Sequence, residues 1–336
     1  MTDGTGVHVD DFRDLNDEPT NPVESKAVVS KSPTQLALAR LRKDRLTMVS
    51  VYIVGFFVVA GISAPIVWWL GLIDPFTTDT DLINEYSLPI GSWGGISGDH
   101  WLGVEPGTGR DTLARMWLGT TLSLTISISA TAIAMFLGVV AGIVSGAGGG
   151  WTDTIIGRII DLTLAFPQVL MLLALATVGI AFVEEVLHVP HGNPAAAVYV
   201  VLVLGLFGWT GIARIVRGQV LTLREQEFVQ AAQMIGASKF RIYFKEILPN
   251  LWAPILVTFT LMMPAFVSAE AALSYLGVGI TPPTPTLGNL LTDSLRYADS
   301  VYVYFFVPAV LIALIVISFN LLGDGLRDAL DPKGHR

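Results

Sequence analysis

Acids, histidines and glycines are the side chains with chemistry to offer here, because the chain has no cysteine. Disulfides, thiolate catalysis and cysteine-ligated metals are thereby excluded. His188 and His191, beside Glu184 and Glu185, could hold a metal, but Pro190 breaks regular helical spacing between the histidines, and the stretch reads as a solvated loop. Asp161 and Glu270 stand out for another reason. Each lies in a long apolar run, where an ionisable group is costly and calls for a role. Asp161 is three residues from Arg158, which predicts an i, i+3 pair at a membrane interface; the functional reading places it on a translocation pathway. Glu270 sits deeper in its run, where it lines such a pathway or bonds a neighbouring helix. Neither has the companion carboxylates or histidines of a proton relay. No apolar run contains a histidine that could activate a serine nucleophile. Gly146, Gly148, Gly149 and Gly150 are clustered, yet the spacing and lysine of a phosphate-binding loop are missing.

The elements that must position these residues are membrane helices. Of 336 residues, 52% are hydrophobic and 14% charged, too apolar for a soluble domain of this length. The net charge of −8 comes largely from acids in an N-terminal tail and in one loop, 73–115, both read as solvated. Residues 1–31 are polar and acidic, which predicts a disordered tail. Ser32 and Pro33 then open an amphipathic helix over 32–46. The first long apolar run begins near residue 46, too late for a signal peptide. Six runs follow, 46–72, 117–145, 155–182, 195–216, 251–278 and 301–322, and each reaches the ~20 residues that cross a bilayer. Pro65, Pro167, Pro264 and Pro308 interrupt them, which membrane bundles tolerate. The expected fold is an all-α bundle of six spans over 47–322, with a short tail over 323–336.

Lysine and arginine set the orientation. With the N-terminus inside the cell, the inner side holds Arg40, Arg42, Lys43, Arg45, Arg158, Arg214, Arg217, Arg224, Lys239, Arg241, Lys245, Arg327, Lys333 and Arg336. The outer side holds only Arg110, Arg115 and Arg296. Both termini and the segment 228–250 are then cytoplasmic, while loops 73–115, 183–194 and 281–300 are external.

Segment 228–250, FVQAAQMIGASKFRIYFKEILPN, is a polar, basic island between two apolar runs. Phe228, Ala231, Ala232 and Ile235 recur with helical spacing, as do Phe240, Phe244, Ile247 and Leu248. Gly236 suits the left-handed residue that ends a helix, and Ser238 suits the cap of the next. The segment reads as helix, tight turn, helix. A plain connector and a helix lying on the membrane surface are alternatives; two matched apolar faces favour insertion into a groove on a soluble partner.

This segment resembles the cytoplasmic loop of ABC importer permeases, which runs E-A-A, three residues, glycine, nine residues, I-x-L-P. Ala231, Ala232, Gly236, Leu248 and Pro249 fall on that pattern, Gln230 replaces the acid, and Glu246 takes the isoleucine position with Ile247 beside it. Segments 100–124, 211–229, 274–294 and 319–332 extend the resemblance to the C-type subunit of the dipeptide/oligopeptide/nickel permease subfamily. The resemblance implies one permease of a six-span type I importer for peptides, with nickel, glutathione and other peptide-like solutes as alternatives. It implies a second permease, two ATPases that grip the coupling loops, and an extracellular binding protein that delivers substrate. Gln230, Ala231, Ala232, Gly236, Ala237, Ser238, Ile247, Leu248 and Pro249 would then form the ATPase-coupling site. ATP and magnesium would sit on the partner ATPases; no cofactor, no catalytic residue and no nucleic-acid partner is expected in this chain. Gly107, Arg110 and Asp111 in the long external loop, with Pro282, Pro283 and Pro285, read as a structural lid, a docking surface for the binding protein, or both. An ion-coupled transporter is the rival class; it needs no motor and should show an ion site at broken helices.

Overall fold

The computed structural model describes residues 33–331. The expected N-terminal tail and the cap at Ser32 lie outside the described residues. Helix α1 (Pro33–Lys43) ends in a basic turn. At Asp44 the chain breaks, and its carboxylate accepts from the N–H groups of Leu46 and Thr47, both at 3.2 Å, to start α2 (Arg45–Trp69). Asp111 opens α3 (Thr112–Gly148) in the same way, accepting from Ala114 N at 2.6 Å. The chain continues through α4 (Gly150–Ala165), α5 (Gln168–Ala174), α6 (Ala176–Glu185) and α7 (Asn193–Arg224). After the short helices α8 (Glu227–Met234) and α9 (Lys239–Arg241) come α10 (Trp252–Tyr275), α11 (Leu287–Ser294) and α12 (Tyr302–Leu330). Among the described residues, extended pairing is limited to two isolated bridges in the long loop, Ile83 with Pro89 and Val104 with Asp111.

Five helical stretches are long and apolar enough to cross a membrane: α2, α3, α7, Lys239–Tyr275 and α12. The sixth expected run, 155–182, is not a straight span. Helices α4 and α5 meet at an angle of 79°. Pro167 lacks an N–H, and the residue before a proline is pushed out of the helical region, so Phe166 is extended, at φ −92° and ψ 134°. Pro65, Pro264 and Pro308 stay inside continuous helices. Helix α12 continues past the expected end at 322 to Leu330. Arg40 Nη1, from α1, donates to Asp331 O just beyond it, at 3.0 Å.

The most extensive helix pairing is α3 with α7, and sequence spacing explains it. Gly138, Gly142 and Gly146 recur every fourth residue along α3. A Cβ at each would lie 2.5, 2.6 and 2.8 Å from side-chain atoms of Ile212, Val216 and Val220 on α7. Small residues at such spacing let membrane helices approach closely, where dispersion rather than hydrophobicity drives association. One buried cluster runs along this seam and includes Ala130, Ala134, Leu204 and Val220. A second, around Phe57, Met263, Leu287 and Ile315, joins α2, α3, α10, α11 and α12.

Candidate functional site

The 228–250 segment connects α7 to α10 at one end of the bundle. Helix α8 closes in a left-handed C-terminal motif: Gly236 has φ +79°, Gly236 N donates to Gln233 O and Ala237 N to Ala232 O, both at 3.0 Å. Glycine holds that conformation without the steric cost a Cβ brings. Ser238 caps α9, accepting from Arg241 N at 3.3 Å. The second half departs from the regular helix that its spacing predicts. It widens into a π turn over Ile242–Ile247 and tightens into a 3₁₀ turn over Leu248–Leu251. The missing N–H of Pro249 falls at the start of that tightened turn.

The predicted apolar stripes divide between two surfaces. Ala232 is buried with Val229, and Ile247 with Ile242 and Leu251, all in the α3–α7 cluster. Phe228, Ala231, Ile235, Phe240 and Phe244 are exposed, as is Met234, which belongs to neither stripe. Met234 is 83% exposed, Ile235 81% and Phe240 70%, and the rings of Phe240 and Phe244 stack at 4.3 Å between centroids. Gln230 and Ala231 are on this outer side, and Gln230 Nε2 donates to Glu225 O at 3.3 Å. Ala237 and Leu248 are half-buried, and Pro249 is exposed. A two-turn helix cannot bury both faces, so one is fixed to the bundle and the other is left on offer.

Asp161 does not pair with Arg158. Its carboxylate takes Arg214 Nη2, from α7, at 2.6 Å, and both side chains are exposed. Tertiary proximity overrides the local i, i+3 spacing. Glu270 is 3% exposed, buried among three helices. It accepts from Ser123 Oγ on α3 and Ser274 Oγ on α10, each at 3.0 Å. Ser123 Oγ in turn accepts from Leu287 N at the start of α11, at 3.0 Å. A Cβ on Gly288 would lie 3.1 Å from both Glu270 oxygens, so the N-terminus of α11 rests directly on the carboxylate. Glu270 therefore bonds neighbouring helices, the second of its two expected roles. Ser123 and Leu287 carried no sequence signal that would have joined them to it.

At the opposite end the long loop folds over the helices through a buried ionic network. Arg115 on α3 is fully buried. Its Nη1 donates to Pro75 O at 3.1 Å and Pro283 O at 2.9 Å, and its Nε lies 3.3 Å from Glu105 Oε2. Glu105 also accepts from Tyr304 Oη at 2.8 Å and Thr108 Oγ1 at 2.6 Å. Of the predicted docking residues, Arg110 reaches Glu105 at 3.7 Å, and Asp111 caps α3 while meeting His100 Nδ1 at 2.8 Å. Gly107 N donates to Ser87 O at 2.8 Å. Pro282 and Pro283 are exposed and joined by a cis bond, whereas Pro285 is buried. Asn193 pins their loop to α7, donating to Thr281 O at 2.8 Å and accepting from Thr281 N at 2.9 Å. These bonds tie the long loop to α3 and the proline loop to α3 and α7. Burial of Asp293 in α11, reinforced by nearby Glu105, pushes its carboxyl above the usual carboxylate range.

His188 and His191 do not converge on a metal; His191 Nδ1 meets Glu184 Oε2 at 2.9 Å. The hydrogen bond from His191 holds the Glu184 carboxyl below its ordinary range. Among the described residues, no group of three or more His, Asp or Glu side chains could hold a metal ion.

Residues 138–335 match the family described as the binding-protein-dependent transport system inner membrane component. The chain belongs to this family. Residues 32–89 match a second description, the N-terminal transmembrane domain of oligopeptide transport permease C. Relatives of this permease include the oligopeptide transport system permease protein OppC of Bacillus subtilis, 37% identical over 88% of both chains. The dipeptide transport system permease protein DppC of the same organism is 36% identical over 97% of this chain and 94% of its own. A glutathione transport system permease protein, GsiD of Pectobacterium atrosepticum, is 36% identical over 83% of this chain and 85% of its own. The fold is also similar to a solved inward-facing form of the MetNI methionine ABC transporter, with a TM-score of 0.50 and 19% identity over 66% of this chain and 96% of that one.

Proposed function

We propose that this permease is one half of the membrane pathway of an ATP-driven importer for di- and oligopeptides, and that segment 228–250 is where its motor docks. The observation that carries the reading is the outward face of that segment. Met234, Ile235 and Phe240 stay exposed on a turn fixed by Gly236, while Val229, Ala232 and Ile247 anchor it to the bundle. An apolar face on a rigid mount suits a groove on a soluble ATPase. Aromatic anchors of this kind carry most of the energy in such contacts.

In this reading two ATPases grip this chain and a second, homologous permease, and ATP and magnesium bind on the ATPases. Closure of the ATPases draws the coupling segments together and opens the cavity toward an extracellular binding protein; hydrolysis reverses the movement. The arginine and lysine asymmetry supports cytoplasmic termini and a cytoplasmic docking face. The named relatives support peptides as substrate, with glutathione, itself a peptide, within reach of the same machinery. Lid residues Gly107, Arg110, Asp111, Pro282 and Pro283 would meet the binding protein from the other side.

Purification of the complex in detergent tests the reading. ATPase subunits should remain bound to the wild-type chain and be lost from a Phe240→Ala, Ile235→Ala variant that is still folded. A stable chain that moves peptide without any ATPase would sink it.

A further inference from the structure

The α3–α7 pair forms one closely packed body, because the glycine stripe leaves no space for side chains between the helices. The coupling segment is built onto that body. Val229, Ala232, Ile247 and Leu251 share its buried cluster with Val216 and Val220, and Tyr243 Oη donates to Ala147 O, at the end of α3, at 3.1 Å.

Helix α4 is attached differently. Ile160 is its one buried residue, and it leaves α3 through Gly149, whose φ is +60°. What holds it are two acids a little over two turns apart. Asp153 takes Arg217 Nε at 2.5 Å and Nη2 at 2.6 Å, and accepts from Ser145 Oγ at 2.5 Å. Asp161 takes Arg214 Nη2 at 2.6 Å. Both arginines lie on α7, so α4 is fastened to the rigid body by charge rather than by packing. Beyond it comes the 79° bend at Phe166 and Pro167 that leads into α5.

We propose that Asp153 and Asp161 are positioning residues for transport, whose ion pairs with Arg217 and Arg214 carry movement of the coupling segment into the bent α4–α5 arm. The inference rests on the ATPase-docking reading above. A two-pronged arginine–carboxylate contact fixes orientation as well as distance, which is what a rigid link requires. Exposed ion pairs add little to stability, so a role confined to holding the fold would leave little trace when the Asp161 pair is removed.

The test uses the assembled complex in liposomes, with spin labels at exposed Val169 on α5 and Ile317 on α12. In the wild type, ATP should shift the distance between the labels. Asp153→Asn and Asp161→Asn should keep the ATPases bound and hydrolysing but lose that shift, and uptake from a tryptic digest of casein should fall about tenfold per ATP consumed. The exchange Asp153→Arg with Arg217→Asp should recover the shift. Asp161→Asn, at an exposed position, guards against misfolding as the cause. A shift retained in both single variants overturns the inference, as does a wild-type arm that ignores ATP, or an exchange variant as impaired as Asp153→Asn. A wild-type chain that binds no ATPase overturns the docking reading itself, and this inference with it.

Discussion

The two ends of this permease solve opposite problems. At the 228–250 end, apolar side chains that could have been buried are left outside: Met234, Ile235, Phe240 and Phe244 are exposed. At the long-loop end, charged side chains that could have been left outside are buried: Arg115, Glu105 and, deeper in the bundle, Glu270. Exposed apolar surface is tolerated where a partner is to cover it. Buried charge is tolerated where an opposite charge and polar atoms meet it, and the contacts of Arg115 with Glu105, Pro75 and Pro283 tie loop, helix and proline turn together. The first end leaves an apolar face uncovered, and the second ties its loop to the helices beneath it.

That contrast can be broken from either side. The largest effect is expected at the lid. Arg115→Ala leaves buried Glu105 with its two hydroxyl donors and, as cation, only the more distant Arg110, and should cost about 3 kcal/mol or more, read as a lowered thermal midpoint in detergent. An unchanged midpoint would show that the network does not hold the loop down. Glu270→Gln keeps the shape but replaces one of the two accepting oxygens with an amide nitrogen, so either the Ser123 or the Ser274 hydroxyl loses its acceptor, and should cost about 1–3 kcal/mol. Protection of the α11 amides from hydrogen exchange should fall with it. At the other end, Gly236→Val forces a β-branched residue to φ +79°, a strain of about 1–2 kcal/mol. Its signature should be lost ATPase binding out of proportion to lost stability. Phe240→Ala should leave stability within about 0.5 kcal/mol. It should still weaken ATPase binding about tenfold, as removal of an aromatic anchor does.

The smallest effect concerns pH. Asp293 has a raised carboxyl in the folded chain, so its contribution to stability is greatest at low pH and is lost as pH rises through the folded value. Asp293→Asn should match the wild type in acid and become relatively more stable from about pH 4 toward neutral. A parallel pair of stability curves would remove Asp293 from the lid's electrostatics.

Much of the architecture was legible because its causes are local. Apolar runs of sufficient length gave five continuous spans; the bend in the remaining run was not legible, because Pro167 was one of four prolines that the sequence treats alike, and Pro65, Pro264 and Pro308 stay inside their helices. Gly236 and Ser238 announced a turn whose hydrogen bonds follow the expected pattern. The glycine spacing at 138, 142 and 146 was equally plain and carried a signal for close helix contact, one read only once α7 was seen against it. The network around Arg115 was not legible. Glu105, Arg115, Pro283 and Tyr304 are separated by up to 199 residues in the chain, and nothing in their spacing pairs them.

Sequence alone determined the membrane class, five of the six spans, the charge asymmetry and the helix and glycine turn that open segment 228–250, because periodicity, length and turn chemistry act over a few residues. Only the tertiary structure decided which face of that segment is free, that Asp161 answers to Arg214 rather than Arg158, and that Glu270 supports α11. Those outcomes depend on which distant side chain arrives: exposed Asp161 pairs with the arginine that α7 brings beside it, and buried Glu270 bonds the hydroxyls that α3 and α10 present, whatever their place in the chain.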